Sequence, residues 1–273
     1  MAEGALTEMA RLDGKVAIVS GGARGLGGAA VDALAQEGAI VIAADILDAP
    51  GKARAAALNA AGRRAEYRHL DVRDALAWRD VVDGAMQRHG RLDCLVNNAG
   101  ITMSVDIETA TLEQFRAIMD INLYGAFLGM KAAIPAMRQS GGGSIVNIAS
   151  NSTHMVLPLT SLYGATKSAL ANLTKTTAVH CAQRGYNIRV NSIHPGPHET
   201  DMLTGGGAMR AVDIPQVRAL ISAIPMGRMG RPEELGKLVV FLASDDSSYM
   251  TASELFSDGG LTVVSFGGDP DRK

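Results

Sequence analysis

This sequence of 273 residues has few cysteines, no large excess of positive or negative charge and no long apolar run. Its two cysteines, Cys94 and Cys181, stand in apolar surroundings and are too few for a disulfide framework or a zinc site. No group of histidine, cysteine and carboxylate residues has the spacing of metal ligands. The sequence therefore predicts two buried free thiols and no catalytic metal.

The charge and hydropathy patterns exclude several partners. The formal net charge is −2 and no basic run occurs, so neither nucleic acid nor an anionic membrane is expected as a partner. No uninterrupted apolar stretch approaches the ~20 residues of a membrane span. The N-terminus carries acidic residues and has no apolar core, which is unlike a signal peptide. We therefore expect a cytoplasmic protein.

Short apolar runs alternate with segments whose apolar residues recur three or four positions apart. This alternation predicts an α/β fold in which a doubly wound, mostly parallel, seven-stranded sheet carries helices on both faces. The predicted strands are 15–20, 39–45, 65–71, 92–98, 143–150, 187–193 and 253–259. The predicted helices are 26–37, 52–61, 74–89, 111–138, 161–184 and 232–243.

No repeat or linker divides the chain. We predict one domain over residues 12–262, a flexible N-terminus over 1–11 and a C-terminal tail over 263–273. The stretch 195–216 is irregular and rich in glycine, and such a long loop in a compact domain is usually functional. A substrate loop is accordingly predicted at about 197–225.

The first predicted strand runs directly into a glycine-rich turn, SGGARGLGG, and then into a helix. Gly21, Gly25 and Gly27 have the spacing that permits a tight turn, a close backbone approach to a pyrophosphate and close packing of helix on strand. The helix N-terminus would then present free N–H groups to the phosphates, with Arg24 and Leu26 inside the turn. A tight turn without any ligand is the alternative for this motif taken alone.

Asp45 ends the second predicted strand, about 20 residues after the glycine turn. An acid at this place binds the ribose hydroxyls of NAD and repels the 2′-phosphate of NADP, although an aspartate that merely caps a helix is common. Arg24 favours NADP instead, because a cation in the turn pairs with that phosphate. We favour Asp45 and predict NAD as the cofactor.

Tyr163 and Lys167 are one helical turn apart, so both side chains lie on one face. The ordinary pKa of tyrosine is about 10, and a nearby cation favours the phenolate that acid–base catalysis needs. The pair alone occurs often by chance. Ser150, which precedes Tyr163 by thirteen positions, would hold the oxygen of a reacting alcohol or ketone.

Taken together and in order, these motifs resemble those of the short-chain dehydrogenase/reductase family over about residues 12–262. The glycine turn begins with Ser20 where that family usually has threonine. The other motifs that carry the resemblance are Asn97–Gly100, Asn122, Ser150, Tyr163 with Lys167, Pro195–Gly196 and Asp258–Gly260.

The resemblance implies a Rossmann fold and a role for each matching residue. Tyr163 would be the general acid/base, and Lys167 together with the positive nicotinamide ring would lower its pKa. Lys167 would also bind the nicotinamide ribose, and Asn122 would hold a relay water. Further cofactor contacts are implied for Asp71, Val72, Asn98, Ala99, Gly100, Pro195, Gly196, His198 and Thr200. The family also implies a homotetramer that assembles through helices 111–138 and 161–184.

The substrate is predicted to be a small apolar molecule, a secondary alcohol or ketone of cyclic or steroid-like shape. His198 stands where the family commonly has an aliphatic residue, and either a substrate contact or a spectator role fits it. His154 has the same two interpretations. The predicted pocket consists of Ser150, Met155, Leu157, His198, Met202 and Leu203.

Two other functions compete with an NAD-dependent alcohol dehydrogenase. One is an NADPH-dependent carbonyl or 3-oxoacyl reductase on the same scaffold, against which Asp45 argues. The other is a non-catalytic nucleotide-binding sensor. The complete set of Asn122, Ser150, Tyr163 and Lys167 argues against the sensor.

Overall fold

The computed structural model describes residues 10–201 and 215–263. Seven parallel strands form one sheet in the order β3-β2-β1-β4-β5-β6-β7. Their bounds are β1 Val16–Ser20, β2 Ile40–Asp45, β3 Arg64–His69, β4 Cys94–Asn97, β5 Gly143–Ile148, β6 Ile188–Pro195 and β7 Glu254–Ser257. The predicted fold class and all seven predicted strands are confirmed.

Helices cover both faces of this sheet. Their bounds are α1 Gly25–Gln36, α2 Asp48–Ala60, α3 Ala75–His89, α4 Leu112–Met119, α5 Gly125–Gln139, α6 Ser161–Gln183, α7 Pro215–Ala223 and α8 Pro232–Ala243. Local hydrogen bonding and backbone conformation explain where α3 begins and ends. Asp74 accepts a hydrogen bond from the backbone N of Leu76 at 2.7 Å at the start of α3, and Gly90 ends that helix with a φ of 73°.

The two faces of the sheet carry separate apolar cores. Buried residues of α1, α2 and α8, such as Leu34, Leu58 and Val239, pack on one face. The other core contains residues of α3, α5 and α6, including the fully buried Trp78 and Met137. Strands covered on both sides read as continuous apolar runs, which is why the sequence revealed them.

The structure differs from the predicted helix 111–138 in the middle of that segment. A π-helical turn, Asp120–Tyr124, separates α4 from α5. The whole stretch Leu112–Gln139 has the length and composition of a membrane span, with a mean hydropathy of 1.2. However, the stretch packs against the sheet and contains the fully buried Ile118, Ala133 and Met137, so it is a core helix of this fold.

Two further findings concern the irregular parts of the chain. α7, Pro215–Ala223, lies inside the predicted substrate loop 197–225. Its first two residues overlap the end of the stretch 195–216 that was predicted to be irregular. Residues 1–9, 202–214 and 264–273 lie outside the described residues, and with them most of the predicted N-terminus and C-terminal tail.

The order of the strands fixes where a ligand can bind. Successive strands are added outward from β1 in one direction as far as β3, and then from β4 in the other direction. Ligands of open α/β sheets bind at the carboxyl ends of the strands where this order reverses. Here that point lies beyond Ser20 and Asn97, next to the glycine turn.

Candidate active site

The turn after β1 has a shape that requires glycine. Gly21 and Gly25 have positive φ angles of 64° and 57°. A Cβ on Gly27 would overlap the carbonyl oxygen of Gly21 and the amide nitrogen of Asn98. α1 begins here, and its N-cap residue, Arg24, makes no side-chain hydrogen bond to the helix. The first N–H groups of α1 thus face a narrow, side-chain-free cradle that fits a pyrophosphate.

The glycine turn is tied to the loop after β4. The Ser20 hydroxyl accepts hydrogen bonds from the backbone nitrogens of Asn98 at 3.1 Å and Ala99 at 3.2 Å. In return, Asn98 Nδ2 donates to the carbonyl oxygens of Ser20 and Gly21, both at 3.1 Å. The predicted cofactor residues from these two segments therefore form one rigid unit.

We expect Gly27→Ala to weaken NAD(H) binding by about 10- to 100-fold, because the added methyl must push the Gly21 carbonyl or Asn98 out of place. The measurement is a titration of NADH fluorescence. Gly84→Ala on α3 is the control, since its Cβ would meet only the flexible end of Arg88. Equal affinities of both variants and the wild type would contradict the cradle.

Asp45 lies on the far side of the turn, where the predicted cofactor site ends. The residue is buried, and each carboxylate oxygen accepts one backbone hydrogen bond at 3.0 Å, from Ala23 and from Leu47. Its carboxylate therefore lies at the junction of the glycine turn and the loop after β2. This is the place where an acid meets the ribose of a bound dinucleotide.

Two arginines flank the turn, and each faces a carboxylate. Arg24 Nη1 lies 3.7 Å from Asp201 Oδ2, and both side chains are more than half exposed. Arg54 on α2 donates from Nε to the carbonyl oxygen of Ala23 at 3.2 Å and pairs with Asp32. Sequence analysis identified Arg24 but not Asp201, Arg54 or Asp32. These residues lie on segments far apart in the sequence, and no motif spacing connects them.

The predicted adenine contacts lie just beyond β3. The Asp71 carboxylate is paired with Arg73 at 2.6 Å, and this hydrogen-bonded pairing lowers the pKa of Asp71. Val72 is buried, and its carbonyl oxygen accepts from Trp78 Nε1 at 3.0 Å. The contact of these two residues with an adenine ring stays a prediction.

α6 brings Tyr163 and Lys167 to the carboxyl end of β5, where Ser150 follows the strand. Ser150 is the side chain whose hydrogen bonding opposes the rise of the Tyr163 pKa, so the two side chains face each other at this strand end. The ammonium of Lys167 lies 5.7 Å from the centre of the Tyr163 ring and donates to the carbonyl oxygen of Ile148 at 2.8 Å. Three residues predicted from two segments thus converge on one place.

Asn122 lies inside the π-helical turn, and its side chain is fully engaged. Its Oδ1 accepts from the backbone N of Ile101 at 2.8 Å, while Nδ2 donates to the Ile101 carbonyl at 2.9 Å and to Thr166 Oγ1 at 3.2 Å. A Cβ on Gly100 would stand 3.2 Å from Asn122 Oδ1 and 3.5 Å from Lys167 Nζ. Asn122 and Lys167 therefore approach each other across Gly100, and π turns often mark functional sites.

Comparison with known proteins agrees with this geometry. The family model described as enoyl-(acyl carrier protein) reductase matches residues 21–262. Trans-4-hydroxycyclohexanecarboxylate dehydrogenase of Sinomonas cyclohexanicum is 42% identical over 93% of this chain and 95% of its own. The chain belongs to the short-chain dehydrogenase/reductase family. As a member it is an oxidoreductase, and the family implies a nicotinamide cofactor.

Two further proteins support the assignment. The 3-alpha-(or 20-beta)-hydroxysteroid dehydrogenase of Mycobacterium bovis is 45% identical, with 93% of this chain and 91% of the relative covered. The crystal structure of a short-chain type dehydrogenase/reductase from Mycobacterium marinum superposes with a TM-score of 0.86 at 36% identity, covering 94% of this chain and 99% of that one. The resemblance drawn from the motifs is confirmed.

Burial dominates the electrostatics of the Tyr163–Lys167 pair in this family member. Desolvation lowers the pKa of Lys167 to about 8. It also raises the pKa of Tyr163, against which the hydrogen bond from Ser150 acts. Sequence reasoning expected a lowered pKa of Tyr163. The protein alone does not provide it, because burial disfavours the charged phenolate.

The chain after β6 follows the family motif and then departs from it at His198. Gly196 has no room for a side chain, since a Cβ would lie 2.7 Å from that of Asp258. The His198 ring is buried against Gly230, and its Nδ1 lies 3.0 Å from the Gly196 carbonyl oxygen. These contacts favour the spectator interpretation, while a contact of His198 with cofactor or substrate stays a prediction. Thr200 lies beside the glycine turn, next to Gly25.

An apolar rim lies between Ser150 and Tyr163. Met155 is half-buried, and Val156, Leu157 and Leu159 are 87%, 40% and 53% exposed. Val105 N donates to the Leu159 carbonyl at 2.9 Å, which holds this rim to the loop after β4. Met202 and Leu203, the other predicted pocket residues, lie outside the described residues.

Sequence analysis did not identify the side chains that contact the backbone carbonyl oxygen of Ser150. Thr153 and His194 both lie within hydrogen-bonding distance of the Ser150 carbonyl oxygen. His194 stands directly before Pro195, on a strand that reads as a continuous core segment. Ser192 and His194 are two positions apart on β6, so their polar side chains lie on the same face of the strand. This alternation is the feature of the sequence from which the pair could have been identified.

Proposed function

We propose that this protein transfers a hydride between NAD(H) and an apolar secondary alcohol or ketone, with Tyr163 as the general acid/base. The observation that carries the proposal is the convergence of Ser150, Tyr163 and Lys167 at the strand ends beside the Asp45-lined crevice. A proton acceptor, a hydrogen-bond donor and a cation are the groups that alcohol oxidation needs around one oxygen atom.

In the oxidation direction, Tyr163 Oη takes the proton of the substrate hydroxyl. Ser150 Oγ accepts from the backbone N of Ser152 at 3.1 Å, which leaves its one O–H as a donor; this O–H faces Tyr163 in the protein alone and donates to the substrate oxygen when substrate is bound. The positive charge of Lys167 favours the tyrosinate, and Lys167 would also hold the ribose hydroxyls of the cofactor. A bound nicotinamide would supply the acceptor for the hydride of the carbinol carbon. Reduction runs these steps in reverse.

The preference for NAD over NADP is part of the proposal. The Asp45 carboxylate is buried and held by two backbone N–H groups, so it cannot move away from an added phosphate at low cost. Arg24 is the cation that would favour NADP, and it faces Asp201 instead.

Asp45→Asn is expected to shift the ratio of kcat/KM for NAD and NADP by about 10- to 100-fold toward NADP, because the amide keeps the shape but loses the charge. Initial rates with both cofactors measure the shift. Asp80→Asn, an exposed acid on α3, is the matched control and should leave the ratio unchanged. An unaltered ratio in Asp45→Asn would mean that Asp45 does not set the preference.

The substrate class is proposed from the apolar rim and from relatives. Val156, Leu157 and Leu159 offer apolar contact area beside Ser150, without a charged group among them. The relatives named above act on a hydroxycyclohexane carboxylate and on hydroxysteroids. A cyclic or steroid-like secondary alcohol fits both observations.

The first experiment measures initial rates of NADH or NADPH formation with cyclic and steroidal alcohols, sugars and hydroxyacyl thioesters. Turnover of cyclic alcohols with NAD supports the proposal. Turnover only with NADP, or much faster turnover of hydroxyacyl thioesters, would favour the reductase alternative. No turnover of any compound, together with tight NADH binding, would favour the nucleotide-binding sensor.

The proposal includes a cytoplasmic homotetramer. Met119, Leu123, Tyr124, Phe127 and Leu173 line a groove of about 750 Å³ on the α4–α6 side. Tyr124 and Phe127 are 45% and 40% exposed, and their rings stack at 6.2 Å. These exposed aromatic side chains, at the π turn and at the start of α5, lie beside α6 and support a subunit contact there. Sedimentation of the wild type and of Phe127→Asp tests it.

A further inference from the structure

The backbone carbonyl of Ser150 is surrounded by hydrogen-bond donors from two side chains. Thr153 Oγ1 lies 2.8 Å from this oxygen and His194 Nδ1 lies 3.0 Å from it. The backbone N of Thr153 adds a third contact at 3.2 Å. Such saturation of one carbonyl oxygen, directly at the end of β5, exceeds what the short 3₁₀ turn Asn151–Thr153 requires.

The tautomer of His194 follows from its partners. The ring is fully buried, and burial lowers the pKa of His194, so the neutral form predominates. A carbonyl oxygen only accepts, so Nδ1 carries the hydrogen, which it shares between the Ser150 carbonyl at 3.0 Å and Thr153 Oγ1 at 2.8 Å. Nε2 is then an acceptor, and it lies 2.9 Å from the Ser192 hydroxyl that donates to it. Phe256, with its ring centre at 4.8 Å, fixes the plane of the imidazole.

Thr153 is held from the solvent side. Its hydroxyl donates to Ser150, while its lone pairs face the Nδ1 atoms of His154 and His194, both at 2.8 Å. Glu254, which is paired with Lys175 at 2.6 Å, lies 3.5 Å from His154 Nε2. The two histidines and Thr153 therefore form a connected network behind the serine.

Orientation of this carbonyl decides where the serine hydroxyl points. The carbonyl belongs to the peptide that links Ser150 to Asn151, and its plane sets the direction of the following turn. That turn places the backbone N of Ser152 3.1 Å from Ser150 Oγ. If the peptide rotates, Ser150 Oγ loses this donor and its O–H is no longer directed.

We propose that His194 and Thr153 are positioning residues, which clamp the Ser150 carbonyl so that the Ser150 hydroxyl is aimed at the substrate oxygen. The inference rests on the proposed role of Ser150. It adds a function for a buried histidine that lies outside the reacting set.

Thr153→Val tests the clamp with little change in shape. We expect kcat to fall about 10-fold, because the peptide after Ser150 loses one of its side-chain donors. The dissociation constant of NADH should stay within about twofold, since the glycine turn and Asp45 lie at other strands. Thr153→Ser restores the hydroxyl and should restore kcat. A purely structural residue would not separate kcat from cofactor affinity in this way.

His194→Asn and His194→Gln form a matched pair. Asn places its amide near the position of Nδ1 and can still donate to Ser150, whereas Gln reaches toward the position of Nε2 and Ser192. We expect kcat of the Asn variant within about threefold of the wild type and a loss of about 10-fold in the Gln variant. Fluorescence of the single, buried Trp78 reports whether each variant is folded.

Each outcome decides between the inference and the proposed function. A Thr153→Val protein with wild-type kcat, while Ser150→Ala is inactive, overturns the clamp alone. The partly exposed Thr153 keeps this test valid even where the His194 variants do not fold. An active Ser150→Ala protein overturns the proposed catalytic role of Ser150 and the clamp with it.

Discussion

Tyr163→Phe is expected to lower kcat for alcohol oxidation by about 10³-fold, since it removes only the oxygen that exchanges the substrate proton. The ring itself stays in place, because its packing on α6 does not depend on the hydroxyl. NADH should still bind, because the cradle at Gly21–Gly27 and the Asp45 carboxylate are untouched. Steady-state rates and a fluorescence titration of NADH measure the two effects separately.

The control for this variant is Tyr249→Phe, which makes the same chemical change at a fully exposed tyrosine. It should retain wild-type kcat. Turnover by Tyr163→Phe at the wild-type rate would contradict the acid/base role of Tyr163. Loss of both turnover and NADH binding would instead point to a disturbed fold, which the fluorescence of Trp78 would reveal.

The pH dependence of Tyr163 chemistry follows from its surroundings. Burial raises the pKa of Tyr163 in the protein alone, and the Ser150 hydrogen bond only partly opposes this. A tyrosinate near neutral pH therefore requires a further positive charge, and a bound oxidised nicotinamide supplies one. The proposal thus ties the ionisation of Tyr163 to an occupied cofactor crevice.

The sequence predicted those features that depend on short-range patterns. Runs of buried apolar residues predicted the five inner strands, because a sheet covered on both faces needs apolar residues at nearly every position, whereas the edge strands β3 and β7 are partly exposed. Ser20, Asp45, Asn98 and Ser150 each stand at the end of a predicted strand or just after it, and the carboxyl ends of parallel strands meet at one edge of the sheet.

Features that depend on long-range contacts escaped prediction. The π turn at Asn122 is stabilised by the backbone of Ile101 and by Thr166, and the apolar periodicity runs through it without a break. Arg24 meets Asp201 only because the loop after β6 folds back over the glycine turn. Likewise, His194 reaches Ser150 across two neighbouring strands, a contact that no spacing in the sequence encodes.

The second large effect concerns the stability cost of Lys167. The side chain is 4% exposed, and its pKa falls from 10.5 to about 8 through desolvation. Below about pH 8 the folded protein must hold a buried ammonium that water would solvate better. A shift of this size corresponds to a cost on the order of 3 kcal/mol at neutral pH.

Lys167→Met should remove this cost together with the activity. Met has a similar length and packs well in an apolar site, although the Ile148 carbonyl loses its donor, which costs about 1–3 kcal/mol. At pH 7 the variant is therefore expected to be about as stable as the wild type or slightly more stable. Its kcat should nevertheless fall by about 10²-fold or more.

The sign of the pH dependence distinguishes this explanation from a simple packing effect. Between about pH 8 and 10.5 the unfolded chain binds a proton at Lys167 that the folded chain lacks, so wild-type stability rises with pH. Relative to Lys167→Met, the free energy of unfolding of the wild type should increase by about 1.4 kcal/mol per pH unit in this window. Other titrating groups are common to both proteins and cancel in the difference.

Urea denaturation of both proteins between pH 7 and 9.5, followed by Trp78 fluorescence, gives this difference directly. Lys237→Met, at an exposed lysine of α8, is the matched control and should show no such slope. A constant difference between Lys167→Met and the wild type would mean that water solvates the ammonium in the folded protein. A rising difference would mean that the fold keeps a destabilising charge beside Tyr163, and catalysis is then the reason for its position.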